Sequence, residues 1–232
     1  MPLYPKHRLS GWYTKHVERK PVRPRSLISD VPMPGWIEEG AAEKIAQAAY
    51  SPTPPDQIGS YRLVKTTPTL KFYRSGTQIV IGVRGTKDAR DVASWPLVAT
   101  SSVRSGARFH EDAQILQDFK NDNALEDLKY YAVGHSLGGA IIDIMIRNGD
   151  VIAGISFNPA IQLNDLHARL PNKRIYHYDD PLYMLMGRLS TDPTVVVGKS
   201  SWWQRLVSSI PYYGTLYKAY SKLQAHNLSS LT

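Results

Sequence analysis

The apolar positions change their period along the chain. Residues 1–36 show no spacing that a helix or strand could use, and six prolines interrupt them, which predicts a disordered or draped arm before a single domain over 37–232. From Trp36 to Tyr50 strong helix formers dominate and acids sit early, predicting a helix that Pro52, Pro54 and Pro55 end. Tyr61 to Lys65 and Thr69 to Arg74 read as short strands. Gly76 then turns the chain into Gln78 to Arg84, an apolar run suited to a central strand buried on both faces. Asp88 to Leu97 and Ala107 to Asn121 read as helices, the second through Phe109, Ala113, Leu116 and Phe119. Val151 to Phe157, Lys173 to Tyr178 and Thr194 to Val197 read as further strands. Strands and helices thus alternate after Gly76, which predicts an α/β fold with a mostly parallel central sheet flanked by helices.

One stretch joins both periods. The strand-like run Tyr130 to Val133 ends in Gly134-His135-Ser136-Leu137-Gly138-Gly139, and a helical apolar period follows. A strand, a tight turn and a helix in that order make a nucleophile elbow, in which the serine is held in a strained conformation that exposes its hydroxyl. Gly134 and Gly138 supply the room such a turn needs, with His135 beside the nucleophile. The helix that begins after Ser136 aims its first amides and its positive dipole end at the oxygen of an attacked ester.

A serine hydroxyl needs a histidine to take its proton and a carboxylate to orient that histidine. In hydrolases with this elbow the chain order is Ser, acid, His. Asp179 and Asp180 close the second strand after Ser136, and Asp180, adjacent to Pro181-Leu182, is the preferred acid. His226 is the one histidine after Asp180, whereas His167 and His177 precede the acid. One oxyanion donor is expected from the Leu137 amide and a second from Thr86, which follows the buried strand at Gly85. Thr86 as a plain helix-capping residue remains the alternative. His110-Glu111-Asp112 makes a poor metal site, because adjacent helix positions diverge, so His110 is expected at the surface or the cleft edge.

Composition adds charge and compartment. The net charge of +8 is uneven: residues 1–36 carry seven Lys/Arg against two acids, and residues 187–232 carry five against one. Basic ends on a near-neutral body suggest attraction to an anionic surface, either phospholipid headgroups or nucleic acid. Trp202, Trp203 and the tyrosines between 212 and 220 lie among Arg205, Lys218 and Lys222. Tyr213, Leu216, Tyr220 and Leu223 share one helical face, which predicts a helix over the sheet; an interfacial lid hinged at Pro211 and Gly214 is the alternative. The chain has no cysteine, so disulfides and thiolate metal sites are excluded and an intracellular setting is expected. Neither a secretory apolar core nor a membrane-spanning run is seen in the sequence.

Taken together, Val83-Arg84-Gly85-Thr86, Gly134 to Gly139, Phe157-Asn158-Pro159, Asp180-Pro181-Leu182 and His226 resemble the motifs of the class 3 lipase family of α/β-hydrolases. The resemblance covers roughly residues 37–232. It implies hydrolysis of acylglycerol or phospholipid esters through Ser136, Asp180 and His226, with no cofactor and no metal. The basic, aromatic ends favour phospholipid. Three features depart from the family pattern: Glu111-Asp112 follow His110 where His-x-Gly-Phe is common, Ile141 and Ile142 replace small residues after the elbow, and the core is short. From another class, a non-catalytic module that binds membrane or nucleic acid on the same fold fits the basic arm.

Overall fold

The computed structural model describes residues 34–38, 40–86, 98, 101–177 and 194–197, with His177 and 194–197 described by backbone alone. The helix expected over Asp88 to Leu97, the acids Asp179 and Asp180, His226, the aromatic C-terminal segment and residues 1–33 of the arm lie outside these residues.

Eight strands form one sheet in chain order: β1 (Gln57–Ile58), β2 (Tyr61–Thr66), β3 (Leu70–Ser75), β4 (Gln78–Val83), β5 (Lys129–His135), β6 (Ala153–Phe157), β7 (Asn172–His177) and β8 (Thr194–Val197). The first four pair antiparallel, and β4 through β8 pair parallel. The change of direction follows from the connections. Gly76, at φ +58, allows the two-residue hairpin between β3 and β4, whereas the parallel strands need crossovers. The α/β architecture with a sheet flanked by helices is therefore present, the sheet being mixed rather than parallel throughout.

Three helices are described: α1 (Ala41–Ala48), α2 (Ala107–Asp122) and α3 (Leu137–Arg147). Strands added successively in one direction by right-handed crossovers place their helices on one face, and α2 and α3 do share a face. Alternation along the strands serves both sides. Ile79, Ile81 and Val83 of β4 join Phe109, Leu116 and Phe119 of α2 and most of α3, while Val80 joins Tyr131, Val133, Ile155 and Phe157 under α1. Each such fully buried side chain contributes about 2 kcal/mol.

The helix expected from Trp36 to Tyr50 is shorter at both ends. Gly40 stands at φ +72, outside helical geometry, so the helix starts at Ala41. Trp36 instead stacks on Tyr131, with ring centroids 4.5 Å apart. The bulk of Ile142 has a local explanation. A Cβ on Gly134 would lie 2.9 Å from Ile142 Cδ1, and one on Gly154 2.5 Å from Ile142 Cγ2, so the two strands give up side chains where the helix keeps a large one.

Beneath α3 lies a buried polar layer absent from the sequence-based expectations. Asp143, a single acid in the apolar run Ala140 to Ile146, accepts hydrogen bonds from Asn172 Nδ2 at 2.6 Å and from an Arg174 guanidinium nitrogen at 3.1 Å. Ser156 Oγ donates to Asn172 Oδ1 at 3.0 Å, and Arg147 pairs with Asp165. Burial pushes the Asp143 carboxyl up from 3.8 to about 6, with Arg174 and Asn172 pulling it back. A carboxyl whose folded value exceeds its unfolded one holds its proton longer in the folded state. Its stabilising contribution is full below the unfolded value and is lost as pH rises through the folded one. The stability of the native chain minus that of Asp143→Asn should therefore fall as pH rises from 3.8 to about 6, and be level on either side, in urea unfolding followed across pH.

Candidate active site

The carboxyl ends of β4, β5 and β6 meet at one edge of the sheet. The β4–β5 register pairs Val83 with Gly134, and two further residues on each chain set Gly85 opposite Ser136. The approach is closer than any side chain allows. A Cβ on Gly85 would stand 2.4 Å from the His135 carbonyl oxygen, 3.1 Å from Ser136 Cβ and 2.3 Å from the Tyr50 hydroxyl. One on Gly138 would stand 2.5 Å from the Val83 carbonyl oxygen. The first turn of α3 is thus pressed against the end of β4.

Ser136 occupies φ +54, ψ −124, a region that side chains rarely enter, between the last residue of β5 and the first of α3. Three backbone hydrogen bonds hold it there. Its N–H donates to the Phe157 carbonyl at 3.2 Å, and its carbonyl accepts from Gly139 and Ala160, each at 2.9 Å. The Ala160 bond and the Phe157 bond both tie the turn to the end of β6. Asn158, at φ +41 in the same edge, donates its own N–H to the Ile175 carbonyl at 2.8 Å. Backbone strain of this kind costs about 1–3 kcal/mol and persists where surroundings over-determine it.

Leu137 opens α3, so its amide is one of those that the helix leaves without an intrahelical acceptor. Thr86 follows Gly85 and is 2% exposed, as is Ser136. The structure therefore brings together Ser136, Leu137, Thr86, Gly134, His135 and Gly138. Asp180, its neighbour Asp179, and His226 lie outside the described residues. His110 is exposed on α2, as expected. Among the described residues no group of three or more acids and histidines is placed to hold a metal ion.

Two participants were not foreseen. Tyr50, just beyond α1, accepts a hydrogen bond from the Gly85 N–H at 3.0 Å, and its hydroxyl oxygen lies 2.6 Å from His135 Nδ1. One hydroxyl thereby ties the loop after β4 to the residue before Ser136. Arg108, on α2, bonds Asp112 at 2.7 Å and donates to the Arg84 carbonyl at 2.9 Å, bracing the same loop from the other face. Burial pushes the Asp112 carboxyl up, and Arg108 opposes the shift. The signal for Asp112 was its place four residues after Arg108 on one helix. Tyr50 carried no local signal.

No family model matches the chain, and no curated protein matches it. The geometry at the strand ends therefore carries the functional argument.

Two outcomes follow from this geometry. Ser136→Gly should be more stable than Ser136→Ala by about 1 kcal/mol in chemical denaturation, because glycine occupies φ +54 without strain and alanine does not. Tyr50→Phe should lose about 1–3 kcal/mol, since the Gly85 N–H and His135 Nδ1 both lose this partner. An unchanged midpoint for Tyr50→Phe would show that the hydroxyl does not brace the loop.

Proposed function

We propose that this chain is a serine ester hydrolase on an α/β-hydrolase-like fold akin to the class 3 lipases, acting on acylglycerol or phospholipid esters. The observation that carries the reading is the backbone of Ser136, at φ +54, ψ −124, between a central parallel strand and the N-terminus of a helix. In this reading Ser136 attacks the ester carbonyl while His226 takes its proton, and Asp180 orients His226. The Leu137 amide and Thr86 stabilise the oxyanion. His226 then protonates the leaving alcohol, and water, activated by His226, hydrolyses the acyl-enzyme.

Topology supports the choice of acid. β7 runs parallel to β5 with one strand between them, so it ends on the edge that carries Ser136, roughly 10 Å away by strand spacing. That gap leaves width for an imidazole. Asp179 and Asp180 come two and three residues after the last residue of β7, His177. Ser136 is nearly buried, so part of the surrounding chain must move aside before a lipid ester reaches it.

A fluorophosphonate probe, applied with detergent micelles present, should label the native chain and not Ser136→Ala. Hydrolysis of a short p-nitrophenyl ester should fall at least about a thousandfold in His226→Ala, in line with loss of the general base. A folded, micelle-bound protein that takes no label would overturn the reading.

A further inference from the structure

We propose that Tyr50 and Arg108 are positioning residues for the oxyanion site, acting together as a clamp on one peptide unit, the one that joins Arg84 to Gly85. The hydrogen bonds of the clamp are independent of the ester hydrolase reading; their catalytic consequence rests on it.

The N–H and C=O of a trans peptide point in opposite directions, and here each meets a side chain. The Gly85 N–H donates to the Tyr50 hydroxyl at 3.0 Å, and the Arg84 carbonyl accepts from the Arg108 guanidinium at 2.9 Å. Tyr50 follows α1, which packs on one face of the sheet, and Arg108 stands in the first turn of α2, which packs on the other. Both anchors are themselves held. The Tyr50 hydroxyl lies 2.6 Å from His135 Nδ1, and Arg108 is buried and bonded to the buried Asp112 at 2.7 Å. One peptide earlier the backbone still holds the chain, since the Arg84 N–H donates to the Thr69 carbonyl at 3.0 Å. At the next peptide the two side chains take over that task.

The need for a clamp comes from the glycine. Close approach requires it, because a Cβ at position 85 would stand 2.4 Å from the His135 carbonyl oxygen. Glycine also enters positive φ freely, so rotation of the Arg84–Gly85 plane meets no Cβ at that position. Such a rotation displaces the next peptide, which bears the Thr86 N–H assigned to the oxyanion. An oxyanion donor acts by being aimed in advance at the oxygen where charge develops, and a misplacement of about 1 Å can cost about a hundredfold in rate. Two hydrogen bonds from opposite faces resist the rotation, and loss of either lets the plane turn about the other.

The test compares the full native chain with Tyr50→Phe, Arg108→Lys and the pair, each shown folded by circular dichroism. Arg108→Lys keeps a cation beside Asp112 but lacks the planar fork that reaches the Arg84 carbonyl as well. With a short p-nitrophenyl ester, kcat and kcat/KM should fall together by about ten- to a hundredfold in each single variant, with KM held within about twofold, as for an interaction made only in the transition state. The pair should lose little more than the worse single variant, since either loss frees the same plane. Exchange of the Gly85 amide with solvent, followed by nitrogen-15 NMR, scores the clamp without catalysis. It should quicken at least about tenfold in Arg108→Lys, although that variant keeps the Tyr50 acceptor. Tyr50→Phe, which removes a single oxygen, carries the kinetic test where Arg108→Lys fails to fold. Unchanged kcat in a folded variant, losses that multiply in the pair, or Gly85 exchange indifferent to Arg108 overturns the proposal. The two readings fail separately. Quickened exchange in Arg108→Lys with no fluorophosphonate label on the native chain removes the hydrolase reading, and the catalytic consequence with it, while label on the native chain with kcat and exchange unmoved removes the clamp alone.

Discussion

The close approach of two backbones at the ends of β4 and β5 is the constraint on which the rest of this structure depends. The register that pairs Val83 with Gly134 carries Gly85 to Ser136 at a separation where a methyl group would strike a carbonyl oxygen. A slip of one residue would turn every side chain of β5 to the opposite face and place Ser136 against a different residue of the loop. Both hydrophobic clusters oppose that slip. Val133 and Tyr131 are fitted under α1, and Ala132 under α3, so the alternation that fills the core also fixes which atoms meet at the edge. Packing and site geometry are here the same condition.

Most of the fold was legible because the strands announce themselves by continuous apolar runs and the helices by spacing. The strand Gln78 to Arg84 and the helix Ala107 to Asn121 differ from the observed β4 and α2 by one residue at one end. The strained turn at Ser136 was legible for a different reason: Gly134, Ser136 and Gly138 call for a tight turn between strand and helix, and Ser136 is observed at φ +54. What was not legible is long-range and polar. Asp143 could have been suspected as a lone acid in an apolar helix, but nothing in the chain names Asn172 and Arg174 as its partners. Tyr50 is further still from recognition, since its role depends on α1 docking so that one hydroxyl reaches Gly85 and His135 at once. The two-residue strand β1 is too short to carry any periodic signal.

The buried polar layer and the strained turn stand in different relations to stability. An acid and an arginine drawn out of water recover in mutual attraction and hydrogen bonds roughly what they lose in hydration, so such a pair adds little net stability. It does fix geometry. Asp143 on α3 reaches Asn172 and Arg174 on β7, skipping over β6, whose inward residues Gly154 and Ser156 are small. That link sets the rotation of α3 about its axis, and the N-terminus of α3 is where Leu137 presents its amide. A helix held by apolar contacts alone could roll by a few tens of degrees at small cost, because such contacts are not directional.

Strain itself argues for a role at position 136. Among the described residues three non-glycine residues have positive φ: Ser101, Ser136 and Asn158. Asn158 lies at φ +41, in the left-handed range that asparagine enters more readily than other residues. Ser101 caps a neighbouring loop, where its hydroxyl accepts the Asn164 N–H at 2.9 Å. Ser136 has neither excuse. Its ψ of −124 lies outside the left-handed helical range, no side-chain hydrogen bond caps the helix it precedes, and glycine would fit the turn at lower cost. A module that used this fold only as a scaffold would relieve the strain with one substitution. A chemistry that needs an alcohol held at the tip of the turn, beside the first amides of a helix, would not.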